Sequence, residues 1–401
     1  MNRERIFIMI YQYLPVDRIH YGVNVVDQEI IHEIQQLKAS KVLMVTTNSM
    51  LKTSPYENLV QLLHANQIET YEAILKQHVP GNVLMQNIQE ITRFNPDLII
   101  SCGGGSPIDA GKILSFVLAE NIQSEEEIYP YSVNVAEKPL NMSHYVPHIA
   151  IPTTLSAAEF TSIAGITSSK NRAKYKFSHL NMTPSFVFLD PVFTQDTPDW
   201  LWASTGMRAV DHAVETLYSP FPNPVNTGLA LQALKKLYKY LPLSKKNPSH
   251  LEYRLECQMG AWLSLFSVVN IKLGLSHSIG HQLGSTYDIP HGMTSAIMLP
   301  HVMTFLLPRT YEAQAQIPEA LGETDPYKNV KEKAEMSPTL IKNLILDLDI
   351  PHQLRDFNVT KESLTEVVRH ILMDIQGEEN TVVLETNDLN KEIFSLLEKA
   401  W

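Results

Sequence analysis

Residues 276–292, Ser-His-Ser-Ile-Gly-His-Gln-Leu-Gly-Ser-Thr-Tyr-Asp-Ile-Pro-His-Gly, hold three histidines among small residues. His277 and His281 are four apart, so on a helix they share one face. His291 follows a proline in the turn-like Asp-Ile-Pro-His-Gly, which could fold a third imidazole back towards the first two. Imidazole is a common ligand for zinc, iron and copper and the usual general acid or base near neutral pH, so the cluster could hold a metal or move a proton. A hydrogen-bonded core role is the plain alternative for any one of these histidines alone. Three together, behind the apolar run 261–275, point to a site.

A second candidate is Cys102-Gly103-Gly104-Gly105-Ser106-Pro107-Ile108-Asp109-Ala110-Gly111-Lys112, between an expected strand and an expected helix. Three glycines let the backbone approach a ligand closely, Ser106 can cap the helix, and Pro107 suits its first turn. The exposed amides of such a turn suit a phosphate or pyrophosphate. The spacing is not the G-x-G-x-x-G fingerprint, and a merely tight connection is the alternative reading.

These stretches need elements to position them. Lys41–Thr47, 97–101, 148–151 and 185–189 read as buried strands, and the N-terminal 1–10 as a first strand rather than a signal peptide. Helices are expected at Tyr56–Asn66 and Gln86–Phe94. Alternation of strand and helix argues for a parallel sheet covered by helices. From about 199 the pattern turns helical, with helices expected at 200–217, 227–240, 250–273, 295–306, 338–347 and 364–373, punctuated by Pro220, Pro222, Pro224, Gly274, Pro290 and Pro308. The expected organisation is an α/β domain over 1–190 and a helical domain over 191–401. Ser124-Glu125-Glu126-Glu127 reads as a solvated loop or helix start.

The chain has 401 residues, 44% of them hydrophobic, and a formal net charge of -11, which suits two globular domains. That charge, without a long basic run, argues against a nucleic-acid groove or an anionic membrane as partner. The two cysteines, Cys102 and Cys257, stand in no metal-like spacing and fit a reducing compartment. No window reaches the ~18 uncharged apolar residues of a membrane span. A cytoplasmic protein acting on a small molecule is the expectation, with a homodimer as its assembly.

The glycine turn at 103–112, Pro152-Thr153-Thr154, Gly206-Met207 followed by His212-Ala213-Val214-Glu215, and His277-x3-His281-x9-His291-Gly292 with Leu299-Pro300-His301 together resemble the iron-containing alcohol dehydrogenase family. The match covers most of the chain in order. It implies the fold shared with dehydroquinate synthases and glycerol dehydrogenases: an N-terminal NAD(P)-binding domain, an all-α C-terminal domain, and hydride transfer in the cleft between them. By that resemblance Gly103, Gly104, Gly105, Ser106 and Asp109 belong to the pyrophosphate turn, Thr153 and Thr154 contact the cofactor, and Lys174, or its neighbour Lys176, is the family lysine near it. The histidine ligands would be His212, His277 and His291, with His281 beside the nicotinamide.

Two departures matter. The family's metal-binding Asp, four residues before the first histidine, is replaced by Arg208, whose guanidinium has no lone pair to give and stays protonated. Iron or zinc at His212, His277 and His291 is therefore doubtful, and Asp211 sits about 100° round a helix from His212. The segment after the Thr-Thr pair, Leu155-Ser156-Ala157-Ala158-Glu159, is similar to that of maleylacetate reductases, the branch that works without metal, although Asn is typical there at position 208. The expectation is a metal-independent reductase of a carboxylate-bearing enone or oxo acid. In it Arg208, with His212, His277 and His291, would form a cationic pocket, and His281 or a neighbour would supply a proton. Arg208 paired structurally with Asp211 or Glu215 is the plain alternative. A metal-dependent alcohol dehydrogenase or aldehyde reductase, a dehydroquinate-synthase-type lyase and a nucleotide-binding protein without catalysis are the competing functions. Thr47, followed by Asn48, ends the second strand where an acidic residue would repel a 2′-phosphate, so NAD and NADP are both permitted.

Overall fold

The computed structural model describes residues 10–75, 80–171, 173–266, 268–323, 325–377 and 388–401. The strand expected at the N-terminus falls mainly on residues 1–9, outside the described residues. Six strands, β1 (Arg18–Tyr21), β2 (Lys41–Thr47), β3 (Glu69–Leu75), β4 (Leu98–Gly103), β5 (His148–Pro152) and β8 (Phe186–Leu189), form one parallel sheet in the order β1-β8-β5-β4-β2-β3. A separate antiparallel hairpin joins β6 (Ile163–Thr167) to β7 (Lys174–Ser178).

Alternation along β2 divides its side chains between two cores. Leu43 and Val45 pack with Ile99, Ile113 and Phe116, and Val42 and Met44 pack with Ile100, Ile149 and Phe188. With both faces covered, the central strands read as continuous apolar runs, which is why they were visible in the sequence. β3 was missed because it is an edge strand whose Glu69, Glu72 and Ile74 are exposed.

The second half is helical, as the sequence suggested. Its core, with Trp202, Met207, Leu237, Ile279, Met298 and Val302, runs on to Leu155, Val187 and Leu189, so the helices pack directly against one end of the sheet domain. Several boundaries differ from expectation. The helix foreseen over 250–273 ends at Ser264 (Leu251–Ser264) and is followed by a single tight turn at Val268–Asn270, with the Phe266 carbonyl taken by Asn226 Nδ2 at 2.7 Å. Pro308 does not stop its helix, which runs from His291 to Gln314 and kinks at Thr310. Glu125 is not solvated: it is 8% exposed and accepts hydrogen bonds from Ser169 N (2.8 Å), Ser169 Oγ (2.6 Å) and Tyr129. Among the described residues no single helix is long and apolar enough to cross a membrane.

Candidate active site

The sheet domain supplies one wall from main chain. β4 ends at Gly103, whose φ of +149° and 2.7 Å spacing between a hypothetical Cβ and Pro107 Cγ require glycine. Gly104 is the cap of the Gly105–Ala119 helix, so Ser106 lies inside the first turn and does not cap it as expected. A Cβ on Gly104 would stand 3.0 Å from Thr154 Cγ2, and Thr153 N donates to Gly103 O at 2.9 Å, so the glycine turn and the Thr153-Thr154 pair are packed together. No side chain caps this helix, which leaves its first amides for an anion. The β2–β4 register pairs Val45 with Ser101, so two residues further on Thr47 lies level with Gly103; its hydroxyl is 2.9 Å from that of Ser49.

Side chains of the helical domain hold the loop after β5. Thr197 Oγ1 donates to Thr153 O (2.7 Å), Gln258 Nε2 to Pro152 O (3.4 Å), and Leu155 N to Thr205 Oγ1 (3.1 Å). Lys112, fully buried, donates to Ala158 O (2.6 Å), Thr161 Oγ1 (2.8 Å) and Ile163 O (3.0 Å) and lies 3.7 Å from Asp109. Burial raises the Asp109 carboxyl, while Lys112 and Lys174 pull it down. Ala157 takes φ 59° in the shortened segment, a left-handed conformation without glycine.

The other wall is made of side chains from three helices. Asp199–Leu217 carries Arg208, Asp211, His212 and Glu215; Leu275–Tyr287 carries His277 and His281; His291–Gln314 carries His291 and Ser295. As the spacing required, His277 and His281 share a helix face, and the turn through Asp288, in the left-handed region, brings His291 round to them. Ring centroids are 5.0 Å apart for His212 and His277, 6.3 Å for His277 and His281, and 5.6 Å for His281 and His291. From the sheet domain, β7 delivers Lys174, whose Nζ lies 3.4 Å from His291 Nε2; Lys176 acts electrostatically on His281.

Arg208 is at the heart of this wall. Its Nη1–H donates to Ser295 Oγ at 3.3 Å, and Nη1 stands 3.8 Å from Asp211 Oδ2, too far for a hydrogen bond. Asp211 Oδ2 stands 3.6 Å from His277 Nδ1 and accepts from Ser276 Oγ (3.0 Å) and Ser295 Oγ (2.6 Å). Burial, and then Glu215, push the Asp211 carboxyl up to about 8. Burial holds His212, His277 and His281 well below the usual imidazole range, with Arg208 acting in the same direction on each, so all three are neutral at pH 7.

From sequence Glu215, three residues from His212, was weighed only as a structural partner for Arg208. It accepts from Gly274 N (2.8 Å) and Ser276 N (2.7 Å), and His277 Nδ1 lies 2.6 Å from its Oε2. Burial raises its carboxyl to about 7 against the pull of those amides. Among the described residues the set whose donor atoms lie within 4.8 Å of one another is Asp211, Glu215 and His277, and not the histidine trio. That set is knitted by hydrogen bonds: the 2.6 Å between His277 Nδ1 and Glu215 Oε2 is a hydrogen-bond distance, shorter than the ~3.4 Å that separates two ligands each ~2.1 Å from a tetrahedral ion.

The basic pairs Lys235-Lys236 and Lys245-Lys246 of the helical domain are engaged elsewhere. Lys236 pairs with Glu256, and Lys245 binds the Leu348 carbonyl, so neither builds a phosphate pocket in the cleft.

Residues 17–191 match the family description "Iron-containing alcohol dehydrogenase", and residues 202–401 match "Fe-containing alcohol dehydrogenase family, C-terminal". The chain is 28% identical over 372 residues to the NAD-dependent methanol dehydrogenase of Bacillus methanolicus, covering 92% of this chain and 96% of that one. It is 28% identical over 299 residues to the maleylacetate reductase of Pseudomonas sp. (strain P51), covering 75% and 76%. A crystal structure of 1,3-propanediol oxidoreductase superposes with a TM-score of 0.88 at 26% identity, over 98% of this chain and 100% of that one.

Proposed function

This chain belongs to the iron-containing alcohol dehydrogenase family and is an NAD(P)-dependent oxidoreductase, and from that premise we propose a metal-independent reductase of a small oxo acid or enone bearing a carboxylate. The observation that carries the reading is Arg208. A permanent cation replaces the family's anionic ligand and spends one hydrogen bond on the protein, to Ser295, among the described residues. The remaining guanidinium donors suit a carboxylate bound through two parallel hydrogen bonds. Lys174 and Lys176 add positive charge from the facing hairpin, which favours an anion over a divalent cation.

A reduced nicotinamide, when bound in the cleft, would supply the hydride. The amides at the start of the Gly105–Ala119 helix would hold its pyrophosphate, and Thr153 and Thr154 would contact the cofactor beside them. Arg208 orients the substrate and balances the charge that develops on its oxygen. His281, kept neutral by burial and then by its cationic neighbours, offers an N–H to that oxygen and holds the proton there. Neither Thr47 nor Asn48 excludes a 2′-phosphate, so the reading admits both nicotinamides. Two free, buried cysteines fit a reducing cytoplasm, and a homodimer is the proposed assembly.

A metal-dependent alcohol dehydrogenase is the second reading, favoured by the longer coverage of the methanol dehydrogenase. One assay separates the two. Arg208→Ala is expected to lower kcat/KM for an oxo acid about 10- to 100-fold, the worth of a charged hydrogen bond, with cofactor affinity and fold intact. Unchanged kinetics, or wild-type activity lost to chelator, would overturn the metal-free reading.

A further inference from the structure

We infer that Glu215 is a positioning residue that locks His277 in the Nδ1–H tautomer, so that a bare Nε2 lone pair faces the reaction cleft. The argument starts from the carboxylate's own anchorage. Gly274 and Ser276 present backbone N–H groups at the start of the Leu275–Tyr287 helix, and Glu215 accepts one on each oxygen, at 2.8 and 2.7 Å. These are the amides a helix leaves unpaired at its N-terminus, so the carboxylate replaces the missing cap. Held at both oxygens, it cannot rotate. A Cβ on Gly274 would lie 3.1 Å from Glu215 Oε1, which shows how closely the helix start is docked.

His277 lies on that same first turn, and its Nδ1 is 2.6 Å from Glu215 Oε2. An oxygen already accepting an amide hydrogen meets the ring best as an acceptor again, which puts the imidazole's single proton on Nδ1. Ser276 reinforces the docking, because its hydroxyl donates to Asp211 Oδ2 at 3.0 Å. Two acidic side chains of the Asp199–Leu217 helix therefore hold one helical turn, and Arg208 lies one turn before Asp211 on the same helix. The other ring nitrogen, His277 Nε2, is buried and has no hydrogen-bond partner among the described residues. Its neighbour on the same wall is the His212 ring, at 5.0 Å between centroids. Such a nitrogen is an acceptor for a substrate hydroxyl or a protonated intermediate, and it would equally be the ligating atom if this branch held a metal.

The inference rests on the histidine cluster being the reacting site, and its test is independent of which substrate is turned over. Selective 15N-histidine labelling separates the two tautomers by the ring-nitrogen shifts, and His277 is assigned by its missing signal in His277→Gln. Wild type should show His277 as Nδ1–H, and Glu215→Asp, which keeps an acceptor, should preserve that pattern. Glu215→Gln should move the proton to Nε2 and lower kcat about 10- to 100-fold while KM stays within about threefold, and Glu215→Asp should recover part of the loss. Wild-type His277 found as Nε2–H overturns the inference, as does Glu215→Gln with a lower unfolding midpoint but an unchanged tautomer and kcat. If Glu215→Gln does not fold, the wild-type and Glu215→Asp spectra decide it alone. Failure of the purified enzyme to reduce any oxo acid would sink the proposed substrate class and leave the tautomer readout standing.

Discussion

On the sheet side of the cleft, the groups offered to a ligand are main-chain amides, exposed because Gly103 and Gly104 carry no side chain that would separate the turn from Thr154. On the helical side they are imidazoles and a guanidinium, buried and held by Asp211, Glu215, Ser276 and Ser295. The first wall suits a ligand group common to many enzymes, a pyrophosphate, and depends on shape. The second suits a particular substrate and depends on charge, so one residue can change what it accepts. In the proposed function Arg208 is such a residue: a guanidinium stands among the gathered histidines where the resemblance places an anionic ligand.

Three substitutions would break or sharpen this contrast. The largest effect is expected on the shape-dependent wall. Gly104→Val would drive a branched side chain into Thr154, and cofactor affinity measured by quenching of intrinsic fluorescence should fall by more than about 100-fold, since the pyrophosphate amides would be displaced. Retained affinity would mean that the turn does not hold the cofactor.

A smaller effect, but a change of kind, is expected on the charged wall. Arg208→Asp restores an anionic oxygen one helical turn before His212. Purified variant should bind zinc or iron near stoichiometry by elemental analysis where wild type does not, while oxo-acid turnover falls about tenfold or more. Equal metal content in the two proteins would remove the claim that the arginine controls the choice.

The smallest effect concerns stability. His148, buried in the sheet domain, pairs through Nε2 with Ser101 Oγ at 2.7 Å, and burial lowers it from 6.5 to about 3. Between those values the unfolded chain binds a proton that the folded chain refuses, so stability falls as pH drops from 6.5 towards 3, by about 1.4 kcal/mol per unit for this group. His148→Gln should flatten denaturant-derived stability against pH by one proton's slope over that window. An unchanged slope would show that the histidine titrates in the folded state. The buried histidines of the other wall shift in the same direction and would supply the slope that remains.

Much of this architecture was legible in the residues because two periodicities are strong here. Val42–Val45 and Leu98–Ile100 are apolar without interruption because both faces of the sheet are covered, and His277 and His281 declare a shared helix face by their spacing. β3 and the β6–β7 hairpin lacked such a signal, since an edge strand and an exposed hairpin keep polar residues on their solvent side. Ser106 was misplaced by two residues because Gly104 can cap a helix as well, and the choice depends on how tightly the turn must pack on Thr154. The burial of Glu125 was hidden because its partners, Ser169 and Tyr129, mark no motif.

From the amino-acid order alone follow the kinds of element, the glycine turn poised for an anion, the three gathered histidines and the sign change at Arg208, because each rests on local geometry or on the chemistry of a single side chain. Only the tertiary structure decided what surrounds that arginine: Ser295 from one helix, Asp211 from its own, and Lys174 arriving from a hairpin of the other domain beside His291. It decided also that Glu215 spans two helices to reach Gly274, Ser276 and His277. The physical reason is that a buried charge is governed by whatever the fold places within a few ångströms of it, and apart from Asp211 those neighbours here lie tens of residues away in the chain.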